Sequence, residues 1–193
     1  TSYHEHRSYL SLTALEFLAE GAGMQMLKVE GQAVHGGSLR VWMGQQRSAE
    51  VHPSVKMQLE AEAAGGVSDP ARWRALGALA QSQSLALRAY LEEMGGGVIG
   101  YGAPAKATVR LNQAGIGPDL LPFTVDRNPW KVGRVIPGAD IPIRGVGDLA
   151  KGHPRAVLVF PWNLIGEIRS QIAQALPQGC ECLPVTCLGE APQ

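Results

Sequence analysis

From residue 95 onward the chain alternates short strand-like runs with helix-forming segments, and no other feature restricts its fold as tightly. Residues 97–101, 122–126, 141–143, 156–160 and 181–185 read as strands. Between them, 104–114 reads as a helix, and 163–176 as an amphipathic helix carrying Leu164, Ile168, Ile172 and Leu176. Strands separated by helices join through right-handed crossovers into a mainly parallel sheet, so this part is expected to be α/β. The longest apolar stretch, AVLVFPW at 156–162, is strand-sized and flanked by charge. It falls far short of the ~20 residues of a membrane-spanning helix.

The first half has a different rhythm. Ser11 stands before Leu12, Leu15 and Leu18 as an N-cap before a helix that runs out into glycines;. Residues 24–29 and 38–43 alternate apolar and polar side chains around a turn at His35-Gly36-Gly37, which predicts an antiparallel pair;. Residues 54–64 and 69–94 are rich in strong helix formers;. Gly65-Gly66 separates them, Asp69-Pro70 starts the second, and Leu76, Leu79, Leu87, Tyr90 and Leu91 supply its apolar stripe;. The chain divides by this reading at 1–47, 48–94 and 95–193, the middle part being a helical connector.

Seventeen basic side chains balance seventeen acidic ones. That balance argues against a nucleic-acid partner, which calls for a basic face. The opening residues have no basic-then-apolar leader, and with no membrane segment the expected location is cytoplasmic;. Cys180, Cys182 and Cys187 lie close together, but a structural zinc site wants four ligands and His153 is the nearest histidine in sequence;. They read as reduced thiols, and no metal is expected on this chain.

Chemistry concentrates in a few places. Gly100-Tyr101-Gly102-Ala103-Pro104-Ala105-Lys106 leads from a strand into a helix start, where unpaired N–H groups favour an anion;. The pattern lacks the third glycine of the dinucleotide fingerprint, and a plain tight turn explains it equally. Asp126 ends the next strand, where a carboxylate can meet ribose hydroxyls or cap the following loop; Arg127, Asn128 and Lys131 crowd the same edge;. After the most apolar strand, Trp162 can wall a base or cover the core, and Asn163 is a natural N-cap for the last helix;. At the other end, Tyr3, His4, Glu5, His6 and Tyr9 are dense in titratable groups, as a general base and its helpers would be, or as a solvated terminus would be;.

Taken in order, Tyr3-His4-Glu5-His6 with Ser8-Tyr9, His35-Gly36-Gly37-Ser38-Leu39-Arg40, the 100–106 loop, Asp126-Arg127-Asn128-Pro129 with Lys131, and Pro161-Trp162-Asn163 resemble one family. It is the C-terminal half of the S-adenosylmethionine-dependent sugar C-methyltransferases, which methylate a ring carbon of dTDP-linked deoxy-keto-sugars. The resemblance implies a Rossmann-like nucleotide-sugar-binding domain at 95–193 and the helix-plus-two-strand tail of a methyltransferase domain at 1–47. In that family a zinc domain and an S-adenosylmethionine domain come first, and the nucleotide-sugar lies between the last two domains.

Carried over, the resemblance makes His6 the base, with Glu5, Tyr3 and Tyr9 around the sugar. His35, Ser38, Arg40, Gly100, Gly102, Lys106, Asp126, Arg127, Asn128, Lys131, Trp162 and Asn163 become candidate substrate contacts. The methyl-donor site and the zinc are expected in an N-terminal half that this chain does not carry, so that half is the expected partner. A non-catalytic nucleotide-sugar-binding module and a small nucleotide-dependent oxidoreductase are the alternatives.

Overall fold

A computed structural model describes residues 8–33, 37–176 and 178–187. The chain forms two compact units, the first running to Leu76 and the second beginning at Gly77.

In the first unit, helix α1 (Leu12–Gly21) starts at Ser11, whose Oγ accepts from the Ala14 N–H at 3.1 Å. Strands β1 (Met24–Gln32) and β2 (Ser38–Gln45) pair antiparallel with a bulge between Met26 and Lys28. Helix α2 (Ser54–Ala64) lies against β1, and Leu12, Met26, Val29 and Val55 form a small core. Glu62 of α2 is the buried charge here: its carboxylate accepts from the N–H of Leu12 at 2.7 Å and of Thr13 at 2.9 Å, and from the Thr13 hydroxyl at 2.7 Å. It supplies acceptors that the start of α1 lacks within itself. Burial alone would raise its pKa, but these donated hydrogen bonds outweigh burial and hold it below the usual glutamate range;.

Helix α3 (Pro70–Met94) opens on the expected Asp69 cap, whose Oδ1 accepts from the Ala71 N–H at 2.8 Å. Its apolar stripe is only partly used. Leu87 and Leu91 are fully buried, whereas Leu76 and Leu79 remain 53% and 48% exposed. The buried pair belongs to the C-terminal half of the helix, which packs on the core of the second unit.

In the second unit β3 (Val98–Tyr101), β4 (Thr124–Asp126), β5 (Ile143–Gly145), β6 (Ala156–Val159) and β7 (Glu181–Pro184) form a five-stranded, all-parallel sheet in the order β5-β4-β3-β6-β7. Helices α4 (Ala105–Ala114), α5 (Asp148–Lys151) and α6 (Ile165–Ala175) make the crossovers with the loops. Strand β6 shows why its sequence has no polar residue: Ala156 and Leu158 enter one core with Leu87, Leu91 and Leu111, while Val157 and Val159 enter the other with Ile168 and Ile172. A strand covered on both faces has no solvent side to mark with alternation. The α/β, Rossmann-like expectation holds. The chain starts at central β3, winds out through β4 and β5, then returns to β6 on the other side of β3. The winding direction therefore reverses between β3 and β6, and open α/β sheets bind ligands outside the strand carboxyl ends at such a reversal.

Candidate functional site

Two loops meet outside the carboxyl ends of β3 and β6. Gly102 makes the first turn possible with φ +86°, and a Cβ there would lie 2.6 Å from Pro161 Cδ. Glycine is thus required twice over, by the left-handed backbone and by the approach of the β6 loop. Gly100 lies within β3 instead, and a Cβ on it would meet Thr124 Oγ1 at 2.7 Å and the Phe160 ring at 3.1 Å. Packing of strands and core accounts for that glycine.

Pro104 leads into α4 with extended backbone and offers no side-chain cap. Lys106 stands in the first turn, where the helix dipole disfavours a cation. Its ammonium lies 3.5 Å from the centre of the Trp162 ring and donates to Asn163 Oδ1 at 2.8 Å. Partial burial lowers its pKa. These contacts hold a cation beside a helix start with no side-chain cap, an arrangement that favours an anion in front of it.

The same contact corrects one expectation. Asn163 does not cap the last helix: a 3₁₀ turn (Trp162–Leu164) intervenes, α6 starts at Ile165, and the capping position is Leu164 with no side-chain bond. The Leu164 N–H closes that turn on Pro161 O at 2.9 Å, which leaves the Asn163 amide to Lys106.

Asp126 organises the neighbouring loop. Its Oδ2 accepts from the Ala103 N–H at 2.7 Å and lies 3.5 Å from Lys131 Nζ; its Oδ1 accepts from the Asn128 N–H at 2.8 Å. Lys131 also donates to Ala103 O at 2.9 Å, and Asn128 Oδ1 accepts from the Trp130 N–H at 3.0 Å. Gly102, Lys106, Asp126, Arg127, Asn128, Lys131, Trp162 and Asn163 are therefore gathered at one sheet edge, as anticipated. Asp126 and Asn128 are already engaged in bracing that edge.

A cleft of about 220 Å³ opens among them, with Pro104, Pro161, Leu164 and Ile168 as apolar walls and Asp126, Arg127 and Lys131 at its polar side. Tyr101, Glu167 and Gln171 also line it and escaped the sequence reading. The Tyr101 hydroxyl donates to Gln171 Oε1, Gln171 Nε2 donates to Glu167 Oε1 at 2.8 Å, and Arg127 pairs with Glu167 at 2.9 Å. Burial raises the Tyr101 pKa, so the hydroxyl stays a donor. The spacing of Glu167 and Gln171 by four on α6 was the available signal; nothing local ties Tyr101 to a residue seventy positions away. Among the described residues the cleft lining includes no histidine or cysteine. The site is built for binding an anionic group beside a flat apolar one.

This edge does not fit the adenosyl end of S-adenosylmethionine. A ribose-binding carboxylate must face the ligand, whereas both Asp126 oxygens already accept from the protein. Pro161 also fills the space over Gly102.

The remaining candidates belong to the first unit. Ser38 and Arg40 lie exposed on β2. Ser38 lines an open hollow with Leu10, Leu15 and Leu39, and Arg40 lies 6.0 Å from the Trp42 ring, which Lys28 also faces at 5.2 Å. Tyr9 is 58% exposed. A hollow of about 360 Å³ between Glu16, Glu20, Gln25 and Arg47 includes none of the residues singled out by sequence. Tyr3, Glu5, His6 and His35 lie outside the described residues. Among the described residues no group of histidine, cysteine and carboxylate side chains is arranged to hold a metal, and no helix is long and apolar enough to cross a membrane.

Residues 33–185 match the family described as C-methyltransferase C-terminal domain. The chain is 32% identical over 187 residues to the C-methyltransferase NovU of Streptomyces niveus, across 93% of this chain and 44% of that protein. It thus spans less than half the length of that relative.

Proposed function

Because the chain belongs to the C-methyltransferase C-terminal domain family, we propose that it is the nucleotide-sugar-holding part of a methyltransferase acting on carbon of a dTDP-linked deoxy-keto-sugar. The observation that carries this reading is the cation and side-chain-uncapped helix start of α4 beside an apolar-walled cleft at the strand-order reversal. A diphosphate would take the α4 N–H groups and Lys106, with Arg127 beside it. Asp126, Asn128 and Lys131 would keep the loop in shape for it.

The base assigned by the sequence resemblance is His6. A carbonyl acidifies the neighbouring C–H; His6 takes that proton, and the electron pair moves into the carbonyl to give an enolate whose carbon accepts the methyl group. Glu5 and Tyr3 would orient the imidazole or steady the oxygen, the main demand of such chemistry. The methyl-donor site and the zinc are assigned to an N-terminal half, in keeping with a relative more than twice the length of the matched region.

The test uses the chain reconstituted with that N-terminal half. His6→Ala should lower turnover by about 10²-fold or more, with dTDP affinity changed less than about twofold. Turnover near the wild-type rate would remove His6 as the base and favour a purely binding role.

A further inference from the structure

The cleft is not a featureless apolar slot, because one side chain in it has a fixed polarity. Gln171 carries two donors and two acceptor lone pairs. Glu167 accepts from Arg127 at 2.9 Å and from Gln171 Nε2 at 2.8 Å, so it acts as an ionised acceptor and requires the amide nitrogen on its side. The Tyr101 hydroxyl, kept protonated by burial, donates to the amide oxygen on the other. The two neighbours therefore orient the amide and leave it one N–H and one lone pair. The walls nearest it are the rings of Pro104 and Pro161 and the side chains of Leu164 and Ile168.

We propose that Gln171 reads a pyrimidine imide edge, that of thymine or uracil, and that this cleft is the base subsite of the substrate; the inference rests on the nucleotide-sugar reading above. An imide presents acceptor, donor, acceptor in a row, so an amide with one donor and one acceptor to spare pairs with it from either side. Adenine can also pair with an amide, and size decides between them. At about 220 Å³ the cleft is smaller than the ~300–1,000 Å³ of sites that engulf a drug-sized ligand;. It takes one ring between its prolines, with the diphosphate outside towards α4. Tyr101 and Glu167 are positioning residues here, and Gln171 is the contact.

Calorimetric titration of the chain with dTDP, N3-methyl-dTDP, dADP and inorganic pyrophosphate tests this. Methylation at N3 removes the donor and adds bulk where Gln171 faces the base. It should weaken binding by roughly 10- to 100-fold, with dADP weakened at least as much. In Gln171→Leu the gap between dTDP and its N3-methyl form should close to within about threefold. Equal binding of dTDP and N3-methyl-dTDP by the wild type overturns the inference while leaving the nucleotide-sugar reading intact, and requires no variant to fold. A gap that persists in Gln171→Leu, or dADP bound as tightly as dTDP, overturns it also. Binding of neither dTDP nor pyrophosphate would remove the underlying reading and this inference with it.

Discussion

Replacing Glu62 by alanine tests how the first unit holds α1, the helix that begins six positions after His6 in sequence. The carboxylate receives three hydrogen bonds from residues about fifty positions away. Leu12 is fully buried, so its N–H is stranded by the substitution, at about 1–3 kcal/mol;. The Thr13 N–H and hydroxyl are only part-buried and can turn to water, each losing about 0.5–1.5 kcal/mol;. Removing a buried charge returns some desolvation energy, and Ser11 still caps the Ala14 N–H;. The net expectation is a loss of about 2–4 kcal/mol.

A chain with two units does not license a single two-state analysis, so the suitable assay is amide hydrogen exchange across α1 (Leu12–Gly21);. Exchange there should accelerate by about 30- to 1,000-fold, with the amides of β3 and β6 unaffected. Glu62→Gln should fall between, since it keeps one acceptor oxygen but sets an NH₂ against a second N–H. Protection unchanged within about twofold in Glu62→Ala would refute the argument that this carboxylate secures the helix. The pH dependence follows in sign. A pKa depressed in the folded state contributes stability above the unfolded value and loses it as pH falls through the folded one;. Exchange in α1 should therefore quicken as pH drops below the ordinary glutamate range, after correction for intrinsic rates, and Glu62→Gln should abolish that dependence.

Two further substitutions probe the sheet edge. Gly102→Ala forces a left-handed φ of +86° on alanine and drives a methyl to 2.6 Å from Pro161 Cδ, so urea denaturation of the second unit should show a loss of at least about 2 kcal/mol;. A loss under about 0.5 kcal/mol would mean that the turn relaxes freely. Asn163→Ala should cost less than the ~0.5–2 kcal/mol of a lost N-cap, because its amide binds Lys106 and not the start of α6;. A full capping loss in the same denaturation experiment would restore the role that the sequence suggests.

The parts of this fold that were legible were local or periodic. Ser11 before a leucine repeat, proline at the start of α3 and an apolar run over β6 each state their structure within a few residues. The 100–106 loop could be placed at a sheet edge because a glycine turn between strand and helix has few alternatives;. What stayed hidden was set by distance in sequence. Nothing near Glu62 marks it as the acceptor for α1, and Tyr101 meets Gln171 only once β3 and α6 are side by side. Asn163 was misread because a favourable capping residue says nothing about a lysine 57 positions earlier that claims its oxygen. Leu76 and Leu79 continue the periodicity of α3 beyond the part of it that the second unit's core covers.

The most direct test of the central claim is calorimetric titration of this chain with dTDP and, separately, with S-adenosylmethionine. The braced edge at Gly102, Lys106 and Asp126 predicts saturable heat with dTDP and none with S-adenosylmethionine. Heat with S-adenosylmethionine, or silence with dTDP, would contradict the assignment of this edge to the nucleotide-sugar.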